Sequence, residues 1–333
     1  MPQDLQALKQ RIPLLDYLRR HDWTARPVGT HQEFVGLCPL HPETHPSFYV
    51  NAAKNVFYCH GCGRGGDLIR FVQLLLNLSF REALVHLKQH LGLPEPGEDE
   101  ALREAVDFYQ QQLGCHTEGV DYLHGRGVHD AKLIEQLSIG YAPGGMLYRH
   151  MSRLGYPTDL LMQLGLIHQG KDAFYHRIVF PCFDGSRPVN LYGRSMGGAA
   201  RHRFLPRPKG GLFAWSTVRN YPHVILAEGL FDVAVLWQAG FVNTSCAFGV
   251  HLTDTQVSQL SDRLDRTVFI AFDSDLAGQN AARTLAQRLQ SSTGVNVRIV
   301  DLPAGQDPNS YFVGVGGAST AEFDSRLRNA RCP

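Results

Sequence analysis

The chain has 333 residues, 44% of them hydrophobic, with 32 Lys+Arg against 31 Asp+Glu and a formal net charge of +1. That length suits about two domains at ~100–200 residues each, and the balance excludes a uniformly basic or acidic molecule without excluding a local basic face. No apolar run approaches the ~20 residues of a membrane helix. The opening MPQDLQALKQRIPLLDYL has no signal-peptide core or cleavage site, and seven unevenly spaced cysteines make a poor disulfide framework, so a cytoplasmic protein is expected.

In chain order, the pattern predicts a helix up to about Arg20, a short strand EFVGL at 33–37, and two strands, SFYV (47–50) and VFYC (56–59), joined by NAAKN. Asp67 should cap the helix DLIRFVQLLLNL. Ser79 and Glu82 form a capping-box pattern for the next helix, which Gly92 should close. LPEPGEDE, residues 93–100, reads as a linker. RIVFPCFDG (177–185) and PVNLYGRS (188–195) read as a β hairpin. From about residue 222, HVILAEG, FVNTSCAFG, TVFIAFDSD and VNVRIVDLP alternate as strands with the helices FDVAVLWQAG, TDTQVSQLSDRL and LAGQNAARTLAQRLQ. Such alternation predicts βαβ units and a parallel sheet, an α/β class with a smaller α+β module in front.

That front module carries Cys38-x2-His41, seventeen residues, then Cys59-x2-Cys62. Two knuckles separated by a hairpin supply the four ligands of a closed structural zinc and leave no position for water. Metal binding would supply much of a small module's folding energy. His45 is a spare ligand at most, and His60 lies inside a knuckle too short for easy chelation. The hairpin also carries Phe48, Tyr49, Phe57 and Tyr58, of which strand alternation sends about half into a core.

The later half carries Glu228-Gly-Leu-Phe-Asp232, Asp273-Ser-Asp275, and Asp307 within LPAGQDPNSY. If Asp273 and Asp275 continue a strand, they face one side. Glu228 ends another strand, and ligands of open parallel sheets bind beyond the carboxyl ends. Clustered carboxylates need a cation, and hard oxygens prefer Mg²⁺ or Mn²⁺, which in turn suits phosphoryl chemistry. Arg187, Arg194, Arg201, Arg203, Arg207, Lys209 and Arg219 precede this cluster and suggest a nucleotide- or template-facing ridge.

Both motif sets resemble those of bacterial DnaG-type DNA primases. CPLH…SFYV…VFYCHGCGRGGDLIRF resembles their CHC2 zinc-binding domain. YLHGRGVHDAKLIEQLSIGYAP, RIVFPCFDG and LYGR resemble the start of their RNA-polymerase domain. AEGLFDVAVLWQAG, AFGVHLT, AFDSDLAGQNAA and LPAGQDPNSYF resemble their TOPRIM segment. The resemblance implies a zinc domain over 1–93, a linker over 94–100, the first part of the polymerase domain over 101–221, a TOPRIM-type parallel sheet with flanking helices over 222–303, and a short segment over 304–333. It implies RNA primer synthesis from ribonucleoside triphosphates on single-stranded DNA. By motif match Glu228, Asp232, Asp273, Asp275 and Asp307 hold two Mg²⁺ or Mn²⁺, with Glu228, Asp273 and Asp275 catalytic, while Arg177, Arg194, Arg203 and Lys209 hold nucleotide or template.

Departures are expected to matter. Arg203-Phe-Leu-Pro206 stands where the family has lysine-tyrosine-leucine-asparagine, and Ala304 and Asn309 stand at two acidic places of its usual DGxDPD. The family's helicase-binding domain has no counterpart, which suggests a truncated primase of a mobile or accessory element; a helicase or other replication protein would be met by an unusual contact. A TOPRIM nuclease and a non-catalytic single-stranded-DNA adaptor are the rival readings.

Overall fold

The computed structural model describes residues 12–29, 32–90, 97–197, 202–263, 265–314 and 320–333. The chain divides into two units, Met1–Ala101 with Tyr148–Leu161, and Leu102–Leu147 with Met162–Pro333.

In the first unit, helix α1 (Leu14–Arg20) buries Leu14, Leu15, Tyr17 and Leu18. Its first N–H donates to Asn55 Oδ1 at 2.7 Å, which ties it to the NAAKN turn. Five antiparallel strands follow in meander order: β1 (Ala25–Val28), β2 (Glu33–Gly36), β3 (Phe48–Asn51), β4 (Val56–Cys59) and β5 (Gly65–Asp67). Helix α2 (Leu68–Leu76) starts where Asp67 accepts from Arg70 N at 3.0 Å. Helix α3 (Phe80–His90) starts with the reciprocal bonds of Ser79 and Glu82, at 2.7 and 3.3 Å. The expected end of that helix at Gly92, and residues 93–96 of the expected linker, lie outside the described residues. The acidic end of that stretch is helical: α4 (Glu98–Cys115) opens on Glu98, Asp99 and Glu100, where negative charge complements a helix N-terminus.

After α4 come α5 (Thr117–Gly125), α6 (Ala131–Gln136), β6 (Gly140–Ala142), α7 (Leu147–Arg153), α8 (Thr158–Gln163) and the small pair β7 (Ile167–His168) and β8 (Lys171–Asp172). In the second unit β6 joins an antiparallel sheet with β9 (Arg177–Asp184), β10 (Arg187–Ser195) and β11 (His202–Phe204), in order β11-β10-β9-β6. The expected hairpin is β9–β10.

Helix α9 (Trp215–Val218) leads into β12 (His223–Ala227), α10 (Leu230–Gln238), β13 (Thr244–Cys246), α11 (Asp254–Leu260), β14 (Thr267–Ala271), α12 (Leu276–Thr293) and β15 (Asn296–Ile299). The four strands form a parallel sheet in order β13-β12-β14-β15. Helices α13 (Pro308–Val313) and α14 (Thr320–Arg328) follow. Strands β12 and β14 are almost wholly buried, as the continuous apolar runs VILA and VFIA require of a sheet covered on both faces. Among the described residues no helix is long and apolar enough to cross a membrane.

Candidate metal centres and the acidic cleft

In the first unit the ligand atoms of Cys38, His41, Cys59 and Cys62 all lie within 4.8 Å of one another. Around a tetrahedral zinc with Zn–S of about 2.3 Å, sulfurs sit about 3.8 Å apart, so the set fits a structural zinc. Without metal the cluster is electrostatically split. Burial, with the neighbouring thiols, pushes the Cys38 thiol up to about 12. Burial also acts against the Cys59 thiolate, but hydrogen bonds from the Ser47 hydroxyl and Cys62 N–H outweigh it and bring that thiol below its ordinary value.

Glu43, which the sequence reading missed, organises this cluster. Its carboxylate accepts from Cys38 N at 2.7 Å and Ser47 N at 3.1 Å, and its other oxygen lies 3.3 Å from His41 Nε2. The His41 Nδ1 atom is the one near sulfur, 3.9 Å from Cys59. A carboxylate behind the far ring nitrogen is the usual way a ligating imidazole is oriented. Gly61 is needed here, because a Cβ would meet Ser47 Oγ at 2.7 Å and His41 Nε2 at 2.8 Å. His45 bonds Thr44 and His60 packs edge-on to Tyr49 and Tyr58, so neither belongs to the cluster. The hairpin divides as alternation predicts: Phe48 and Phe57 are core and stack at 5.1 Å, whereas Tyr49 and Tyr58 pair across the outer face, Tyr58 being 48% exposed.

The second site lies beyond the carboxyl ends of β12 and β14. Glu228 follows β12 directly, and its Oε1 accepts from Asp273 N at 3.1 Å. The expectation that Asp273 and Asp275 extend a strand is corrected by the structure: β14 ends at Ala271. Asp275 caps α12 instead, accepting from Gly278 N at 2.7 Å, and Gly278 lets the helix start press against Asp273, whose carbonyl oxygen a Cβ would meet at 2.3 Å. Asp307 likewise caps α13, accepting from Ser310 N at 2.5 Å. Asp275 and Asp307 are thus placed by helix starts rather than by strand alternation.

Glu228, Asp232, Asp273 and Asp307 line one cleft with Arg126 and Arg194. Asp232 is 7% exposed and accepts from Gly229 N and Asn309 N, each at 3.0 Å. Burial, then the charge of Asp307, pushes its carboxyl up to about 7. Burial, then Glu228 and Asp307, does the same to Asp273. Burial raises Glu228 as well. Half-desolvated oxygen donors that repel one another are a donor set that fits a hard divalent cation.

Arg126 was also missed. Its guanidinium lies 4.9 Å from the Phe231 ring centroid, and its carbonyl accepts from Asn309 Nδ2 at 2.7 Å. That bond explains the amide at 309: a carboxylate there could not donate to the carbonyl and would add charge beside buried Asp232.

The four expected basic residues do not share one face. Strand register sets Tyr192 opposite Phe204, Gly193 opposite Arg203, Arg194 opposite His202, and Ser195 opposite Arg177. Alternation then puts Arg194 on the cleft side and Arg177 and Arg203 on the other. Arg177 bonds Gly193 O and Arg203 bonds Ala173 O. Burial and the charge of Arg203 lower the Arg177 guanidinium. Burial acts against the Arg194 guanidinium, but the phenols of Tyr122 and Tyr192 beside it outweigh that and raise it, and the Lys209 ammonium lies 4.3 Å from the Phe204 ring centroid. Arg201 lies outside the described residues.

Three families match successive parts of the chain: CHC2 zinc finger over residues 2–102, the N-terminal domain of the DNA primase catalytic core over 108–218, and Toprim-like over 225–312. The DNA primase of Aquifex aeolicus is 30% identical over 99% of this chain and 72% of its own length. That of Synechocystis is 29% identical over 93% of this chain and 55% of its own. The chain thus spans little more than half of some curated relatives. The crystal structure of the Aquifex aeolicus primase zinc-binding and RNA polymerase domains matches with a TM-score of 0.63 at 29% identity, covering 98% of this chain and 85% of that one. A DNA primase domain from Pseudomonas aeruginosa matches with a TM-score of 0.61 at 26% identity, over 70% and 79%. With its zinc cluster, its primase-core sheet and its Toprim-like acidic edge in this order, the chain belongs to the DnaG-type DNA primase family.

Proposed function

We propose that the chain synthesises RNA primers on single-stranded DNA from ribonucleoside triphosphates. The observation that carries this reading is the cleft in which Glu228 and Asp273, both half-buried, face Arg126 and Arg194 at the carboxyl edge of a parallel sheet. The reaction joins a 3′-hydroxyl to the α-phosphate of an incoming nucleotide, with pyrophosphate leaving and the hydroxyl proton lost. Glu228, Asp273 and Asp307 would hold Mg²⁺ or Mn²⁺, two ions in the fullest case, with Asp275 and Asp232 shaping the site from a helix cap and from beneath. Bound there, the metal supplies charge stabilisation to the attacking and leaving oxygens.

The chain's own groups do the rest. Arg126 and Arg194 bind phosphate oxygens, Arg194 with the phenols of Tyr122 and Tyr192 beside it. Lys209 adds a charge at the rim over Phe204. Arg177 and Arg203, on the opposite face of their sheet, suit template backbone better than nucleotide. In the first unit Tyr49, Tyr58 and His60 offer a stacking surface for single-stranded template. This reading implies a cytoplasmic protein.

The test is a primer-synthesis assay with labelled ribonucleotides, Mg²⁺ or Mn²⁺ and a single-stranded template. Product from the natural protein and none from Asp273→Ala supports the reading. Shortened template, or template binding with no product, overturns it.

A further inference from the structure

The acidic wall of the cleft is matched by an aromatic one. Tyr192, His202, Phe204 and Phe248 line the same cleft as Glu228 and Asp273. Strand register accounts for the first three: Tyr192 and Phe204 are directly opposite, and His202 lies two residues from Phe204, so all project from one face of the β10–β11 pair. The Tyr192 and His202 rings lie nearly parallel, 17° apart in plane with centroids 5.9 Å apart. Phe204 stands edge-on to Tyr192 at 5.1 Å and to Phe248 at 5.6 Å.

Two features set this cluster apart from ordinary packing. His202 is exposed and Tyr192 half-buried, so the stack reaches solvent instead of closing on a core. Phe248 sits at φ 60°, a left-handed backbone uncommon for a bulky side chain and of a kind concentrated at functional sites. The next residue, Gly249, donates its N–H to Glu228 O at 3.2 Å, so the strained turn that carries the ring is fastened to the strand end that carries the acid.

We infer that the Tyr192–His202 stack is a platform for the base of the ribonucleotide whose phosphates the acidic edge and Arg194 hold. This rests on the proposed nucleotide cleft and adds the means by which its base is gripped. Every base has a π face, so the platform would bind all four while rejecting a triphosphate that lacks a base. A ring pair 5.9 Å apart leaves no room for a base between its members, so the base stacks on the outer face of His202.

The test compares ATP with ribose 5-triphosphate, which has no base, by calorimetric titration of the full chain in Mn²⁺. The natural protein should bind ATP about tenfold tighter or more, the scale of one base–aromatic stack. His202→Ala should abolish that preference while ribose 5-triphosphate binds as before, and His202→Phe should retain it. Equal affinities in the natural protein, an unchanged preference in His202→Ala, or parallel loss of both ligands there would overturn the platform. Loss of oligothymidylate binding in His202→Ala with its ATP preference intact would assign the rings to template instead. Failure of the natural protein to bind either triphosphate would remove the nucleotide cleft itself.

Discussion

The chain carries two clusters of metal-ligand chemistry, and they are built in opposite ways. The Cys/His cluster of the first unit has its ligand atoms within 4.8 Å of one another, with a carboxylate, a hydroxyl and backbone N–H groups arranged around them. The acidic cleft of the second unit is open, and its members repel: burial and mutual charge push Asp232 and Asp273 up to about 7. A closed set of soft ligands holds a shape. An open set of hard ligands stores unfavourable charge that a cation or a phosphate-bound metal relieves. On the proposed reading the same chain would use one metal type to fold and another to react.

The strongest way to break this contrast is to remove a zinc ligand. Cys59→Ala, or prolonged chelation, should unfold the first unit, because the apparent binding energy of structural zinc is on the order of 10 kcal/mol. Circular dichroism and limited proteolysis would show it, and retention of a cooperative melt for that unit would sink the idea. At the other site Glu228→Gln should lower primer synthesis by more than about a hundredfold, since even groups behind a metal ligand are worth about 10–100-fold. Its melting temperature should stay level or rise, as one repelling charge is gone.

A pH titration sharpens the difference further. Asp232 and Asp273 have folded pKa values raised from 3.8 to about 7. Their protonated forms favour the fold, so in chelator the second unit should be most stable below about pH 4 and should lose stability as pH rises through about 7, on the order of a few kcal/mol. Saturating Mg²⁺ should flatten that slope. A metal-free stability that climbs over this range would contradict the placement of the two acids. The smallest effect is expected at Glu43→Gln: folding should persist, and competition with a zinc indicator should show affinity down by about 10–100-fold.

Much of this was legible in the sequence for a physical reason. Ligand spacing in the knuckles is local, so Cys38, His41, Cys59 and Cys62 could be paired before any fold was known. The apolar runs of β12 and β14, with intervening helices, likewise announce a parallel sheet. What could not be read depends on contacts distant in sequence. Nothing near Asn309 indicates that its amide reaches the carbonyl of Arg126, 183 positions away. Glu43 lies only five residues from Cys38, and its position between two ligands was a signal that went unread. The D-x-D pair misled because a helix-capping aspartate and a strand-end aspartate share the same letters. The following Leu-Ala-Gly and the helical run were the clue that Asp275 begins α12.

That capping role has a consequence for how the cleft can change over time. Asp275 and Asp307 hold helix starts with an oxygen that asparagine also offers, and asparagine caps about as well as aspartate. Shape and charge at these two positions are therefore separable: one amide exchange removes the electrostatics and leaves the architecture standing. A lineage could silence this site in a single step while keeping a folded protein, and comparing asparagine with alanine at each position would tell an inert copy from a broken one.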